Sequence, residues 1–186
     1  MKLIILDRDG VINEDSDDYI KSPEEFIPLP GSLEAIARLN QAGYRVAIAT
    51  NQSGIGRGYF DLDTLDRMHA KLRRHLTAVG GQIEAIAYCP HPPEANCDCR
   101  KPRPGLLIDI AQRLGIGLGD VPVIGDSLRD LEAARAVGAS PILVRTGKGE
   151  RTLAKGEGLA HIPVYDDLAA AVDALLHGDA SKGPAQ

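Results

Sequence analysis

Six short apolar runs punctuate the sequence, and the first four lead directly into Asp7, Thr50, Cys89 and Gly125. The runs occupy residues 3–6, 46–49, 83–88, 121–124, 142–144 and 162–164. Continuous apolar runs, without alternation of polar and apolar residues, are typical of parallel strands that are covered on both faces. The sequence therefore predicts a parallel sheet buried between two layers.

Apolar residues at helical spacing lie between these runs. Ser32 and Asp61 are residue types that cap helix N-termini, and Pro104 suits the first turn of a helix. A last helical pattern begins near Leu168, and glycines that favour helix ends close the earlier ones at Gly43, Gly80, Gly115 and Gly138. This alternation predicts a doubly wound, Rossmann-like α/β fold with a mostly parallel sheet, flanking helices and right-handed crossovers.

Three segments interrupt the alternation and are predicted to be loops: residues 11–30, 90–104 and 148–158. Because ligands bind at the carboxyl ends of parallel strands, we expect loops there to shape the site. The first two insertions are too short to form a separate cap domain. The sequence therefore predicts one capless domain over residues 1–176, followed by a flexible tail at residues 177–186.

The composition narrows the class of protein. The chain has 186 residues, with 21 Lys and Arg against 26 Asp and Glu, so its net charge of −5 gives no overall basic field for nucleic acid or anionic membranes. It contains neither an apolar run of about 18 residues nor a signal-peptide core. The three cysteines are clustered rather than spread as in a disulfide framework. We expect a cytoplasmic protein that is a monomer and has no nucleic-acid or membrane partners.

Two acidic residues, Asp7 and Asp9, follow the first predicted strand directly. In an extended chain, residues two apart point the same way, so these carboxylates repel each other unless a cation lies between them. Oxygen ligands favour Mg²⁺. Asp126 and Asp130 follow the fourth run at the same predicted sheet edge, so Asp126 is a candidate third carboxylate ligand. Asp130 is either a ligand or a hydrogen-bond partner of Lys101 or of the loop backbone.

Thr50 and Lys101 are predicted to join these carboxylates, since both lie where strands end or loops return. A carboxylate nucleophile, a second carboxylate, a hydroxyl, an ammonium and a cation suit phosphoryl transfer. In this interpretation Asp7 attacks phosphorus and forms an aspartyl phosphate, while Asp9 serves as general acid and then general base. Each aspartate alone would be unremarkable, because an Asp after a strand commonly serves a turn; the ordered combination carries the hypothesis.

These four motifs resemble those of the haloacid dehalogenase superfamily of phosphatases. They lie at residues 7–10, at Thr50, at Lys101 and at residues 125–130, and so span most of the chain. The resemblance implies that Asp7 is the nucleophile and Asp9 the acid/base. It also implies that Mg²⁺ is held by the side chains of Asp7 and Asp126 and by the backbone carbonyl of Asp9.

A second candidate metal site lies in the cysteine-rich loop, at Cys89, His91, Cys97 and Cys99. Four nitrogen and sulfur ligands within eleven residues suit tetrahedral Zn²⁺, and a site filled by four protein ligands is structural. Zinc would stiffen the loop and present Arg100 and Lys101. The alternative is a cluster of buried or reactive thiols beside a surface histidine.

The zinc loop, followed by residues 100–105 and combined with residues 50–58 and 144–149, resembles a narrower family, the D-glycero-D-manno-heptose-1,7-bisphosphate 7-phosphatases. The resemblance implies removal of the C7 phosphate to give heptose 1-phosphate, a precursor of nucleotide-activated heptose for lipopolysaccharide core or a related glycan. The substrate-binding residues that it implies are Asp15, Ser16, Asp17, Asp18, Asn51, Gln52, Ser53 and Arg100. Arg100 would pair with the remaining phosphate. Some members carry a lysine where this chain has Ser127, which leaves the preferred anomer open.

Other functions stay open at this point. Histidinol-phosphate phosphatases have a similar zinc loop, and the acidic stretch at residues 15–18 would suit a cationic amine; the same stretch could also be a solvated loop. A receiver-like phospho-acceptor module shares an Asp, Thr, Lys and Mg²⁺ site, but it lacks an acid/base placed like Asp9. A zinc-built interaction module would leave the aligned carboxylates unexplained.

Overall fold

The computed structural model of the chain describes residues 2–181. Within that range the strands are β1 (Lys2–Leu6), β2 (Tyr44–Asn51), β3 (Ala85–Cys89), β4 (Pro122–Gly125), β5 (Ser140–Val144) and β6 (Val164–Tyr165). The helices are α1 (Ser32–Gln41), α2 (Leu62–Ala78), α3 (Gly105–Leu114), α4 (Leu128–Ala136), α5 (Gly149–Lys155) and α6 (Leu168–Ser181). Short 3₁₀ turns at Pro23–Glu25 and Pro93–Ala95 lie in the first two insertions.

The strands form a parallel sheet in the order β3-β2-β1-β4-β5-β6. Ile5 of β1 lies between Ala47 of β2 and Val123 of β4, so β1 is central. The winding direction reverses between β1 and β4, and such a switch point opens a crevice at the carboxyl ends of the strands. The predicted doubly wound α/β fold is confirmed, and its topology places the ends of β1 and β4 side by side.

Side chains of β1 alternate between two apolar clusters, one on each face of the sheet. Ile4 and Leu6 pack with residues of α1, α2 and α6, whereas Leu3 and Ile5 pack with residues of α3 and α4. A strand with both faces buried needs apolar residues at every position, which explains the continuous run at residues 3–6. This rigid central strand supports the acidic residues that follow it.

The helix ends agree with the sequence in two cases and differ in a third. The carboxylate of Asp61 accepts a 2.8 Å hydrogen bond from the backbone N–H of Thr64, and Gly115 closes α3 in the left-handed conformation, as predicted. Ser32 does not cap α1, because its hydroxyl is buried and donates to the carbonyl of Val11 at 2.9 Å; Gly31 is the cap residue instead. Tertiary contact with the first insertion has replaced the local cap.

Two further differences concern the insertions. The first, residues 11–30, is anchored to the core, since Val11, Ile12 and Phe26 are fully buried. The third, predicted as a loop at residues 148–158, contains the short helix α5. Its buried residues are Gly149 and Thr152, so it has no apolar stripe that would reveal a helix in the sequence.

The end of the chain also differs from the expectation. A tail is predicted from residue 177, but α6 continues to Ser181, and residues 182–186 of that tail lie outside the described residues. None of the helices in the described range combines the length and the apolar character needed to cross a membrane.

Candidate active site

A pocket of about 270 Å³ opens at the carboxyl ends of β1, β2 and β4. It brings together the predicted catalytic and magnesium-binding residues Asp7, Asp9, Thr50, Lys101 and Asp126. It also contains seven of the eight predicted substrate-binding residues: Asp15, Ser16, Asp17, Asn51, Gln52, Ser53 and Arg100. Asp18 is the exception, because it is exposed outside the pocket, where its backbone N–H donates to Ser16 Oγ at 3.1 Å.

Lys101 is buried at the floor of the pocket with its ammonium group fully hydrogen-bonded. Its Nζ donates to Asp7 Oδ1 at 3.0 Å, to Asp130 Oδ1 at 2.6 Å and to the carbonyl of Ala49 at 2.8 Å. Burial alone would lower the pKa of Lys101, but the carboxylates of Asp130 and Asp7 outweigh it and raise the pKa above its ordinary value. Lys101 is therefore a fixed positive charge beside Asp7.

Asp130 holds this lysine in place and has little capacity left for a metal. Its Oδ2 accepts hydrogen bonds from the backbone N–H of Asp126 and of Ser127, both at 3.1 Å, and from Ser127 Oγ at 3.0 Å. Ser127 and Asp130 thereby form a capping box that starts α4. With Oδ1 bound to Lys101, the geometry favours the hydrogen-bonding alternative for Asp130 that the sequence left open.

The carboxylates of Asp7, Asp126 and Asp130 form a cluster in which one oxygen from each lies within 4.8 Å of the others. Burial, together with Asp130, raises the pKa of Asp7 to about 7. Burial, followed by the charges of Asp7 and Asp130, raises the pKa of Asp126 to about 9. Such a set of oxygen donors is destabilised without a cation, and it fits Mg²⁺, with Asp7 and Asp126 as the carboxylates that have capacity to bind it.

Backbone groups crowd around Asp126 and fix its position. The backbone N–H of Lys148 donates to Asp126 Oδ2 at 2.8 Å, and Thr152 Oγ1 donates to the carbonyl of Asp126 at 2.8 Å. A Cβ on Gly10, whose φ is +87°, would lie 2.0 Å from Asp126 Oδ2, so this position requires glycine. The helix α5, which the sequence reasoning missed, is thus one of the supports of the candidate metal site.

Asp9 is held by side chains from three parts of the chain. Its Oδ1 accepts from Arg8 Nε at 2.8 Å and from Asn13 Nδ2 at 2.9 Å, and its Oδ2 accepts from Gln52 Nε2 at 3.2 Å. Gln52 Nε2 also donates to Thr50 Oγ1 at 2.9 Å. Gln52 is predicted to bind substrate, but its amide nitrogen is directed at the two catalytic candidates. Its observed contacts are those of a positioning residue.

Asn51 connects the end of β2 to the segment that carries Lys101. Its Nδ2 donates to the carbonyl of Lys101 at 3.1 Å, and its Oδ1 accepts from the backbone N–H of Lys101 at 3.0 Å. These two hydrogen bonds fix the backbone next to Arg100, whose guanidinium lines the pocket and donates to the carbonyl of His91 at 3.4 Å. Asn51 therefore fixes the segment from which both cations reach the pocket.

Two ion pairs join the acidic segment at residues 15–18 to α5 and to Lys148, the residue that caps this helix. Asp15 Oδ2 lies 3.4 Å from Lys148 Nζ, and Asp17 forms a bidentate pair with Arg151, with both contacts at 2.9 Å. Hydrogen bonding to Arg151 lowers the pKa of Asp17. The two acids are thus engaged with basic residues that the sequence reasoning did not single out, although the basic character of residues 148–158 was visible.

Other pocket residues were also missed. Tyr19, Arg129 and Lys148 line it beside the predicted set. Arg129 is exposed. Burial lowers the pKa of Arg100, and the charge of Arg129 lowers it further, so the two guanidinium groups are close enough to repel each other. The only sequence signal for Arg129 was its place inside the last acidic motif. Arg100 and Arg129 thus place two positive charges together on the pocket wall, which suits an anionic group of a ligand.

The four predicted zinc ligands converge above the sheet edge. Cys89 Sγ lies 3.5 Å from His91 Nδ1 and 3.5 Å from Cys97 Sγ, and Cys99 Sγ lies 3.4 Å from His91 Nδ1 and 3.6 Å from Cys97 Sγ. Ligand atoms around a tetrahedral zinc ion are separated by roughly 3.3–3.8 Å. The cysteines are not paired as disulfides, although Cys89 Sγ and Cys99 Sγ approach to 2.9 Å. The donor set therefore fits zinc.

Comparison with known proteins places this geometry among phosphatases. The HAD-hydrolase-like family model matches residues 98–171, and the model of the polynucleotide kinase 3 phosphatase family matches residues 2–120. The chain is 59% identical over 176 residues to D-glycero-beta-D-manno-heptose-1,7-bisphosphate 7-phosphatase of Pseudomonas putida, covering 95% of this chain and 100% of that protein. It is 37% identical over 180 residues to the protein of that name from Photorhabdus laumondii, covering 92% and 95%.

Solved structures agree. A crystal structure of D,D-heptose 1,7-bisphosphate phosphatase from B. bronchiseptica, complexed with magnesium and phosphate, superposes with a TM-score of 0.93 at 55% identity, covering 96% of this chain and 99% of that one. The enzyme from Burkholderia thailandensis gives a TM-score of 0.76 at 50% identity, covering 95% and 99%. The chain is a phosphoric monoester hydrolase of the haloacid dehalogenase type, and it belongs to the D-glycero-beta-D-manno-heptose-1,7-bisphosphate 7-phosphatase family.

Proposed function

We propose that this chain hydrolyses the C7 phosphate of D-glycero-beta-D-manno-heptose 1,7-bisphosphate with Mg²⁺, through an aspartyl phosphate on Asp7. The observation that carries the proposal is the buried arrangement in which Lys101 bridges Asp7 and Asp130 beside Asp126. The names of the relatives support the substrate and the beta anomer. The product, a heptose 1-phosphate, is a precursor for nucleotide-activated heptose, used in lipopolysaccharide core or a related glycan.

The first half of the reaction uses Asp7 as nucleophile. Backbone N–H of Arg8 and Nζ of Lys101 both donate to Asp7 Oδ1, at 2.8 and 3.0 Å, which leaves Oδ2 to attack phosphorus. As the bond from phosphorus to the C7 oxygen breaks, that oxygen takes its proton from Asp9. Lys101 and the hydroxyl of Thr50 stabilise the charge on the transferring phosphoryl group.

The second half regenerates the enzyme. Asp9, now ionised, removes a proton from a water molecule that attacks the phosphorus of the aspartyl phosphate, and phosphate leaves Asp7. The side chains of Asp7 and Asp126 and the backbone carbonyl of Asp9 would hold Mg²⁺, which would neutralise negative charge at the phosphoryl group. The donor set described above fits this ion.

Substrate selection is assigned to the loops, since the fold has no separate cap. Arg100 binds the phosphate that remains at C1. Ser16 and Ser53 present hydroxyl groups to the sugar, while Asn51 acts through the Lys101 segment that it fixes. Asp15 and Asp17 line the pocket and accept sugar hydroxyl hydrogen bonds with the lone pairs that their ion pairs leave unused. Asp18 takes no part in substrate selection, because it lies outside the pocket.

Two features disfavour histidinol phosphate as substrate. Asp15 and Asp17, the acids that would attract its amine, are engaged with Lys148 and Arg151. Arg100 and Arg129 repel a cation at the mouth of the pocket. A second phosphate, in contrast, is attracted there.

We further propose that zinc occupies the Cys89, His91, Cys97 and Cys99 site in a structural role. The unpaired cysteines suit a reducing compartment such as the cytoplasm. All the proposed catalytic side chains come from one chain, so a monomer is sufficient for activity.

Phosphate release tests the function. With Mg²⁺ present, we expect the beta anomer of the heptose bisphosphate to be hydrolysed with a far higher kcat/KM than the alpha anomer or histidinol phosphate. The Asp7→Asn variant is the matched control, since it keeps the shape of the side chain and should fold normally yet show no turnover. Preference for histidinol phosphate would overturn the substrate, and full activity of Asp7→Asn would overturn the mechanism.

A further inference from the structure

We propose that Arg8 and His69 form a buried positioning pair that fixes the carboxyl group of Asp9 and leaves its Oδ2 free to exchange a proton with substrate. The pair contacts neither substrate nor the transferring phosphoryl group. This inference rests on the proposed function, in which Asp9 is the general acid and base. It concerns residues outside the pocket lining, and it assigns them a role in the reaction.

Arg8 is a charged residue with 0% of its side chain exposed, placed between the two catalytic aspartates. A buried charge is costly unless it is paired, and the paired acid here is Asp9. Arg8 Nε donates to Asp9 Oδ1 at 2.8 Å, and a terminal nitrogen lies 2.7 Å from the same oxygen. Its guanidinium carbon lies 5.4 Å from the centre of the buried Phe26 ring. The side chain of Arg8 therefore reaches the catalytic residues through Asp9.

His69 supports the other end of the guanidinium. It lies on α2, is buried, and its Nε2 is 3.2 Å from an Arg8 terminal nitrogen. Arginine has no acceptor atom, so Nε2 must be the acceptor and the imidazole must be neutral. Burial, followed by the charge of Arg8, lowers the pKa of His69 to about 3, in agreement with the neutral form. Met68 adds a sulfur contact at 3.8 Å from the same nitrogen. α2 thus restrains the guanidinium independently of β1.

The two carboxylate oxygens of Asp9 are restrained by different numbers of hydrogen bonds. Oδ1 receives hydrogen bonds from Arg8 and from Asn13 Nδ2, whereas Oδ2 receives one long hydrogen bond, from Gln52 at 3.2 Å. Gln52 and Asp9 both line the pocket. The hydrogen bonds of Arg8 and Asn13 therefore restrain Oδ1, and Oδ2 is the oxygen left to exchange a proton in the pocket. Loss of the restraint would let the group rotate, and small misplacements of a catalytic group cost up to about 100-fold in rate.

The test compares two substrates whose leaving groups differ in their need for a proton. An alkyl oxygen, such as the C7 oxygen of a sugar phosphate, needs a proton as it leaves, but 4-nitrophenolate leaves without one. Each variant is therefore measured for single-turnover phosphorylation by heptose 1,7-bisphosphate and by 4-nitrophenyl phosphate. The variants are His69→Leu, which removes the acceptor, His69→Gln, which keeps an acceptor oxygen, and Arg8→Gln.

We expect His69→Leu to slow phosphorylation by the sugar phosphate about 10-fold, and Arg8→Gln by about 100-fold, with KM unchanged. Phosphorylation by 4-nitrophenyl phosphate should stay within about twofold, so a burst of nitrophenolate should precede slow turnover. His69→Gln should restore most of the rate. His75→Leu is the matched control, because it makes the same change at an exposed position of α2.

The proposal is overturned if His69→Leu matches the wild-type rate with the sugar phosphate, or if it slows both substrates equally. The rates of Arg8→Gln enter the comparison if this variant is folded. If Arg8→Gln does not fold, the rates of His69→Leu decide the test. Asp9→Asn separates the two levels of inference. If Asp9→Asn retains full activity, the proposed function fails; if Asp9→Asn shows the leaving-group effect and His69→Leu does not, the positioning pair alone fails.

Discussion

At the scale of single residues, Asp126 and Asp130 show how two neighbouring carboxylates acquire different roles. Asp126 has one oxygen bonded to the backbone N–H of Lys148, whereas Asp130 uses both oxygens for Lys101 and for the start of α4. We therefore expect Asp126→Asn to abolish the rise in Tm that Mg²⁺ produces. Asp130→Asn should keep that rise but lower kcat by about 100-fold, because Lys101 loses a partner that orients it.

The measurement is a thermal melt of each variant with and without Mg²⁺, paired with a rate measurement on the same sample. The two variants are matched controls for each other, since each removes one charge from the same cluster. Loss of the Mg²⁺ response in Asp130→Asn with retention in Asp126→Asn would show that the ligand assignment is reversed.

His69 makes stability depend on pH. Its pKa falls from an ordinary 6.5 to about 3 in the folded chain, so the unfolded state takes up a proton first as the pH falls. The contribution of neutral His69 to the free energy of unfolding is therefore fully present above about pH 6.5. Below that pH it declines by about 1.4 kcal/mol for each pH unit. Between pH 6.5 and pH 5 we expect a loss of about 2 kcal/mol from this residue alone.

Urea unfolding of the wild type and of His69→Gln at both pH values isolates this contribution, because all other titrating groups are shared. The variant should lose less stability than the wild type on acidification. An identical pH dependence in the two proteins would refute the assignment of a neutral, buried imidazole.

At the scale of elements, the ion pairs between residues 15–18 and α5 form a latch over one side of the pocket. Asp17 and Arg151 are exposed, and exposed pairs contribute little to stability. We therefore expect Arg151→Gln to leave the Tm almost unchanged. It should raise KM for the heptose bisphosphate about threefold, because the segment that carries Ser16 is no longer held.

Steady-state kinetics at low and high salt check this, since salt weakens an exposed pair and should reproduce the effect in the wild type. Arg145→Gln is a suitable control, because its pairs with Glu150 and Asp166 are also exposed but lie outside the pocket lining. A large fall in Tm for Arg151→Gln, without a change in KM, would mean that the latch is merely structural.

The elements also show what local sequence can predict. β1 and β4 were predictable because burial on both faces demands continuous apolar residues, and their ends carry Asp7 and Asp126. α5 was not predictable, since its seven residues have no apolar stripe and its buried contact is a hydroxyl bonded to Asp126. The bonds of Arg8 to His69 were equally hidden, because the two residues are 61 positions apart and meet only through the packing of α2 on the sheet.

At the scale of the whole molecule, the candidate zinc site connects parts that the sheet order keeps apart. Cys89 is the last residue of β3, at the edge of the sheet, and the loop that follows it returns to the centre with Lys101 before α3 begins. Gly105 packs so closely on this loop that a Cβ there would lie 2.4 Å from the carbonyl oxygen of Asp98. The loop conformation and the position of Lys101 are therefore coupled.

Removal of zinc should consequently affect catalysis at a distance from the metal. We expect one zinc ion per chain by metal analysis, and its loss on treatment with a strong chelator should lower kcat by at least about 10-fold, with Mg²⁺ restored before the assay. The sheet should stay folded, since the apolar cluster of α1, α2 and α6 contains no residue of the loop, and the cluster on the other face includes only Cys89, with Cys97 and Cys99 packed at its margin. Cys97→Ser should reproduce the loss without chelator, because Cys97 is a predicted ligand outside the strands. If added Zn²⁺ restores activity to the chelated wild type but not to Cys97→Ser, the effect comes from this site. If the zinc-free protein is fully active, Asn51 and Asp130 suffice to hold Lys101 and the coupling is absent.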